Sequence, residues 1–267
     1  MTHEGDLQSM LDAARAGSGR LAAGWGQGRA TYGGVVAGVM LAALRGRLEG
    51  ASQGLPLRSM TVSFVAPATA GPADLDVSVL RAGSSVTQGQ VTMRQDGAVV
   101  AVLLASLGAE RASTVSVAPS AAYPVLPSPD ETTALPHVPG VTPDFFAHVD
   151  LRLADGGMPY TTASTSHMLG WMRFREPTPT FGEEHFVSLV DAWPPAVIQM
   201  LAQPRPASSL TWTLELVEDV TAEPDEFWAY EVRTDHAGHG YGHTHAHVWR
   251  PDGTLVAISR QTVTVFG

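Results

Sequence analysis

An internal echo constrains the fold more than any other feature of this chain. Asp96-Gly97-Ala98-Val99-Val100-Ala101 recurs as Asp252-Gly253-Thr254-Leu255-Val256-Ala257, 156 residues later. An Asp-Gly pair feeding an alternating apolar run is a hairpin signature. Further strand patterns lie upstream of both turns. Leu75, Val77 and Val79 alternate with polar residues in the first copy, and Trp228, Tyr230 and Val232 do so in the second. Earlier again, Met60, Val62 and Phe64 match Leu210, Trp212, Leu214 and Leu216.

Each strand set follows one helix-like segment. In the first half, Gly33-Gly34 leads into Val35 to Leu48, apolar on most faces, which is the mark of a buried helix. In the second half the pattern predicts a helix starting at Asp191. Pro194 and Pro195 would fall in its first turn, where a missing N–H does no harm, and Ala196 to Leu201 would follow. The same offset carries Gly34 close to Asp191. Between the halves, Ala109 to Val141 is rich in Ser, Thr, Pro and Ala with no sustained period, as expected of a surface connector. The fold class is therefore α+β, a tandem repeat of one buried helix against an antiparallel sheet. The boundaries fall at 1–112 and 143–267, with a linker over 113–142.

Composition removes several function classes. A chain of 267 residues with 44% hydrophobic and 16% charged residues can bury a proper core. Its longest apolar run, Val35 to Leu44, is half the ~20 residues a membrane span needs, so no membrane association is expected. Met1 to Asp6 lacks a basic segment ahead of an apolar one, so no secretory signal is expected. The absence of cysteine excludes disulfides, thiolate zinc sites and a cysteine nucleophile, and fits a cytoplasmic protein. All 16 basic residues are arginine, which removes Schiff-base chemistry and a lysine-dependent phosphate loop. A net charge of -10 argues against nucleic-acid binding. There is no Gly-x-Ser-x-Gly elbow, and His3-Glu4 has no histidine at zincin spacing. The glycine clusters at 24–28 and 238–242 complete neither a dinucleotide fingerprint nor a P-loop.

Three segments carry a family resemblance: Leu189-Val190-Asp191-Ala192-Trp193-Pro194-Pro195, Ala207-Ser208-Ser209-Leu210-Thr211, and Gly253 through Gln261. Together with Trp171-Met172-Arg173 and Tyr32-Gly33-Gly34, they make the chain similar to the acyl-CoA thioesterase II (TesB-like) family. The resemblance spans most of the chain outside the linker. It implies a tandem (double) hotdog fold, each half a curved antiparallel sheet wrapped around a central helix, with the active site in the C-terminal half. It also implies an acyl-CoA substrate within lipid metabolism, no cofactor, and Asp191, Ser209 and Gln261 as the groups that activate the attacking water. Gly33, Gly34 and Trp193 would contact substrate. Ser209 stands where the best-known members have threonine, and Thr211 remains an alternative source of the hydroxyl.

Chemistry and plain structure compete at each position. Asp191 can take a proton from water, but an aspartate ahead of a proline-containing helix start is also an N-cap worth roughly 1 kcal/mol. Gln261 shares a strand face with Leu255, Ala257, Ser259, Val263 and Val265. A polar amide there needs partners whether or not it serves catalysis. Ser209 begins a strand, a common place for serine. The joint match carries the assignment.

His243, His245 and His247 alternate along one strand, so their imidazoles share a face. No carboxylate or cysteine stands at ligand spacing in that stretch, and no metal is assigned. Arg29, Arg58, Arg173, Arg175, Arg233 and Arg260 are the arginines near the motifs that could meet CoA phosphates. A hydratase on the same fold would need a histidine five residues after the active-site aspartate, and Ala196 stands there. A module that binds acyl-CoA without turnover stays open, as does pairing into a homodimer or higher homo-oligomer.

Overall fold

A computed structural model describes residues 5–265; the acidic opening at 1–4 lies outside the described residues. The chain begins with α1 (Leu7–Arg15), whose N-cap Asp6 accepts from the Ser9 N–H at 2.7 Å. Three short strands, β1 (Gly19–Leu21), β2 (Gly26–Gln27) and β3 (Ala30–Thr31), lead to α2 (Gly33–Arg45). Then come β4 (Leu57–Phe64), β5 (Gly71–Ala82), β6 (Val86–Gln95) and β7 (Ala98–Gly108). The second half supplies β8 (Thr133–Ala134), β9 (Val149–Gly156), β10 (His167–Phe174), α3 (Glu183–Val190) and β11 (Ala207–Leu216). It ends with β12 (Trp228–Gly238), β13 (Tyr241–Trp249) and β14 (Leu255–Val265).

Twelve strands form one sheet in the order β1-β5-β6-β7-β4-β11-β14-β13-β12-β10-β9-β8, while β2 and β3 make a separate hairpin. Every pair in both is antiparallel. The two echoed Asp-Gly turns close β6–β7 and β13–β14, as alternation with a tight turn requires. The halves join edge to edge at β4–β11, where Met60 faces Leu214 and Val62 faces Trp212, all four buried. This junction leaves neither edge open and makes one sheet of the two halves. Helix α2 is buried on nearly every face, as its all-round apolar sequence demands, and packs against α1 and α3.

The second helix corrects the reading of the sequence. It runs from Glu183 to Val190 and ends at Asp191, which takes the C-cap position. Pro194 and Pro195 follow the helix end instead of opening a helix, and Ala196–Met200 is only a 3-10 turn. Proline is tolerated at a helix start and equally just beyond a helix end, so the prolines did not decide the direction. The residue that opens α3, and so matches Gly33, is Glu183 and not Asp191. The connector is mostly exposed, yet Thr133–Ala134 adds a short strand beside β9 and Trp171 donates to the Pro127 carbonyl at 2.9 Å. Among the described residues no helix is long and apolar enough to cross a membrane.

Candidate active site

The end of α3 meets the start of α2, and this contact builds the site. Gln261 of β14 donates its amide to Asp191 Oδ1. The Gly34 backbone N–H donates to the same carboxylate. A Cβ on Gly33 would stand 2.8 Å from Asp191 Oδ2 and 3.1 Å from the Phe64 ring, so only glycine lets the carboxylate come this near. Tyr32, the N-cap residue of α2, gives no side-chain cap of its own. Asp191 does cap a helix, but it is α2 from the other half of the chain, where the positive end of the helix dipole favours a carboxylate. The Tyr32 hydroxyl donates to the Ser188 carbonyl at 2.7 Å and ties α2 to α3 beside this contact.

Burial dominates the electrostatics. It raises the Asp191 pKa to about 7, against the lowering effect of the hydrogen bonds from Gln261 and Gly34. The Tyr32 and Tyr230 phenols are also pushed upward, first by burial and then by the nearby Asp191 charge. Both stay protonated beside it.

Asp191 and Ser209 line one cavity of about 240 Å³ together with Gly33, Val36, Phe64 and Val100. Ser209 reaches it because of a bulge. The register of β11 against β14 slips between Ser209 and Thr211, so that Ser209 faces the buried Val263 while Thr211 faces Thr262. One extra residue reverses which face the side chains take. Ser209 therefore looks inward with Trp212, Thr211 lies exposed on the outer face, and Leu210 is turned out at 37% exposure. The two candidate hydroxyls do not share a face.

The remaining expected contacts divide. Gly33 lines the cavity; Gly34 does not, and a Cβ there would stand 2.5 Å from the Tyr32 hydroxyl and 2.6 Å from the Ser188 carbonyl oxygen. Trp193 is buried in the core, stacked on Tyr230 with ring centroids 5.5 Å apart, and lies off the cavity wall. Gln261 reaches Asp191 without lining the cavity itself. From α2 the apolar wall takes Val36, not the core-facing neighbours Val35 and Val39. The start of α2 and the end of β4 supply Val36 and Phe64, and only their shared turn toward the cavity, invisible in a linear pattern, distinguishes them from core residues.

Most of the arginines near the motifs are engaged elsewhere. Arg58 and Arg175 donate to backbone carbonyls. Arg173, Arg233 and Arg260 pair with Asp150, Glu231 and Asp235. Arg29 is exposed, has no described carboxylate partner, and adjoins the cavity-lining Ala30. His243, His245 and His247 lie on the outer side of β13, with His245 Nδ1 2.6 Å from Asp235. Among the described residues no group of three or more His, Asp or Glu is placed to hold a metal ion.

Comparison with solved structures defines the class first. The chain superposes on a conserved hot-dog-fold protein of unknown function from Alicyclobacillus acidocaldarius at a TM-score of 0.83 and 25% identity, covering 100% of this chain and 99% of the other. An acyl-CoA thioesterase II, TesB2, from Mycobacterium marinum aligns at a TM-score of 0.71 and 22% identity over 88% and 89% of the two chains. A tesB protein of Mycobacterium avium subsp. paratuberculosis aligns at a TM-score of 0.75 and 16% identity over the full length of both. The fold is thus a hotdog fold of α+β class. Residues 21–108 match the family model of the acyl-CoA thioesterase N-terminal domain, and residues 122–265 match that of the C-terminal domain. The chain belongs to the acyl-CoA thioesterase family. Comparison with curated proteins gives no match.

Proposed function

We propose that the chain hydrolyses acyl-CoA to a free acid and CoA, with two hotdog halves in tandem and Asp191 as general base. The observation that carries this reading is the Asp191 carboxylate, held by Gln261 and the Gly34 N–H, opening onto a cavity shared with Ser209. Asp191 takes a proton from water as the water oxygen attacks the thioester carbonyl carbon. The Gly33 N–H, first in α2 and without a described partner, receives the charge that develops on the carbonyl oxygen. Collapse of the tetrahedral species breaks the carbon–sulfur bond, and the proton held by Asp191 passes to the departing thiolate. No acyl-enzyme forms. Gln261 fixes one carboxylate oxygen so that the other faces the cavity, and Ser209 hydrogen-bonds the water. Arg29 at the rim supplies a partner for a CoA phosphate.

Release of free thiol from acyl-CoA tests this directly, and the protein's lack of cysteine keeps the background low. Gln261→Ala and Ser209→Ala should each lower kcat by about ten- to a hundredfold, while Thr211→Val on the outer face should change it less than twofold. Loss in Thr211→Val with an unaffected Ser209→Ala would reverse the assignment of the hydroxyl. Binding of acyl-CoA without any thiol release would make the chain a ligand-binding module.

The acid limb of the rate profile gives a separate check. A base must be ionised to act, and burial holds Asp191 at about 7. The value of kcat/KM should therefore rise about tenfold per pH unit below 7 and level off above it. A limb centred near 4, the ordinary range of an exposed carboxylate, would show that the titrating group is not a desolvated carboxylate.

A further inference from the structure

We infer that Phe64 is a positioning residue of this site: its ring shields the Asp191 carboxylate from water on the side that opens to the cavity. Its bearing on hydrolysis rests on the reading above that Asp191 is the base; the shielding itself does not. Phe64 is the last inward side chain of β4, on the same face as the buried Met60 and Val62. Beyond it the strand ends. The Val65 and Ala66 N–H groups both donate to the Val100 carbonyl, at 2.9 and 3.1 Å, and Val65 turns out to 58% exposure. The ring therefore stands at the open end of β4, packed on the core along one side and lining the cavity with Asp191 on the other.

Gly33 shows how close ring and carboxylate come. A Cβ there would stand 2.8 Å from Asp191 Oδ2 and 3.1 and 3.3 Å from Phe64 Cζ and Cε1, so the ring edge and this oxygen flank one point on α2. Oδ2 is the oxygen that Gln261 does not hold. An aromatic edge carries partial positive charge, so it can border a carboxylate, but it gives back no hydrogen bond for the water it displaces. Asp191 keeps part of its surface open to the cavity, yet desolvation is the first cause of its raised pKa. The hydrogen bonds from Gln261 and Gly34 lower it. The titratable groups that face it are Tyr32 at the start of α2 and Tyr230 on β12, and both stay neutral beside it. The rise therefore comes from the cover around the carboxylate, and on the cavity side Phe64 supplies that cover.

The carbon-13 signal of the Asp191 carboxyl, identified by its loss in Asp191→Asn, reports the titration with no substrate present. Its midpoint in the unaltered protein should lie at about 7. Phe64→Ala opens the carboxylate to water and should lower the midpoint by at least about one pH unit. Phe64→Leu keeps an apolar cover and should move it by less than about half a unit. Phe64→Val should fall between the two, and it carries the comparison if the alanine variant does not fold. The acid limb of kcat/KM should shift with the midpoint in each variant, which a mere loss of packing would not produce. A midpoint near the ordinary value of about 4 before any substitution, one unmoved by the truncations, or one moved as far by leucine as by alanine would overturn the inference. A shifted midpoint in a protein that releases no thiol would keep the shielding role and remove the hydrolase reading. Thiol release with an unmoved midpoint would do the reverse.

Discussion

Replacing Asp191 by asparagine is expected to lower thiol release by about 10²- to 10⁴-fold, the usual contribution of a positioned general base, while making the protein more stable above pH 7. The second half of that expectation follows from linkage. The folded-state pKa of about 7 lies above the model value of 3.8, so the folded chain holds a proton that the unfolded chain has released. The stability from this group is fully present below about pH 4 and is lost as pH rises through 7. The loss amounts to at most about 4 kcal/mol, and less to the extent that cavity water solvates the charge. Asparagine stays neutral at every pH and escapes this penalty. It keeps one carbonyl oxygen for two donors, the Gln261 amide and the Gly34 N–H, and an unmet donor there costs about 1–3 kcal/mol. The net expectation is a variant melting a few degrees above the wild type at pH 8 and at or below it at pH 5. Thermal melts at both values, with thiol release measured alongside, check the pair of effects. Near-wild-type turnover in the asparagine variant would reduce Asp191 to a cap on α2. An unchanged stability difference between pH 5 and pH 8 would show that its carboxylate is not desolvated in the folded state.

The parts of this site differ in how far the sequence revealed them. Strands and turns were legible because alternation has a period of two and Asp-Gly marks a hairpin, so β6–β7 and β13–β14 could be set side by side from residue types. Helix α2 was legible from its unbroken apolar run. Helix α3 was not: seven of its eight residues are buried, including Glu184, His185 and Ser188. It therefore lacks the polar stripe that marks a helix, and the two prolines after it resemble a start as much as a stop. Helix α1 carries Leu7, Met10, Leu11 and Ala14 at helical spacing, but its 9 residues show that period for little more than two turns, too short a window to stand out. Asp191, Ser209 and Gln261 came from family resemblance. Residue types alone gave no reason to bring positions 191 and 261 together, since that contact depends on sheet order. The bulge at Leu210 puts Ser209 and Thr211 on different faces of β11, and a single inserted residue leaves no trace in an alternating pattern of small polar side chains. The raised pKa of Asp191 was out of reach for the same reason, because it depends on what surrounds the carboxylate.

A bulky residue at Gly38 is expected to damage the protein more than most substitutions in its core. Gly34 and Gly38 lie one turn apart on the face of α2 that meets α3. A Cβ on Gly38 would fall on the Ser188 hydroxyl and 2.9 Å from the Glu184 carbonyl oxygen. That hydroxyl is fully buried and donates to the same carbonyl at 2.8 Å, so neither atom can withdraw without breaking the other's hydrogen bond. Helix propensity alone would make Gly38→Ala stabilising by about 1 kcal/mol. The contact with α3 should reverse the sign, to a loss of roughly 1–3 kcal/mol by overpacking, and Gly38→Val should lose at least about 3 kcal/mol. For a chain of this size the valine variant should melt at least about 6 °C lower. Activity should fall with it even where the fold survives, because pushing α3 away from α2 withdraws Asp191 from the Gly34 N–H. Ser188→Gly in the Gly38→Ala background removes the hydroxyl from the contested space and should recover part of both losses, a coupling that a double-mutant cycle measures. If Gly38→Ala instead melts higher than the wild type, α2 and α3 are not in close contact at this point, and the spacing that brings Asp191 to α2 is set elsewhere.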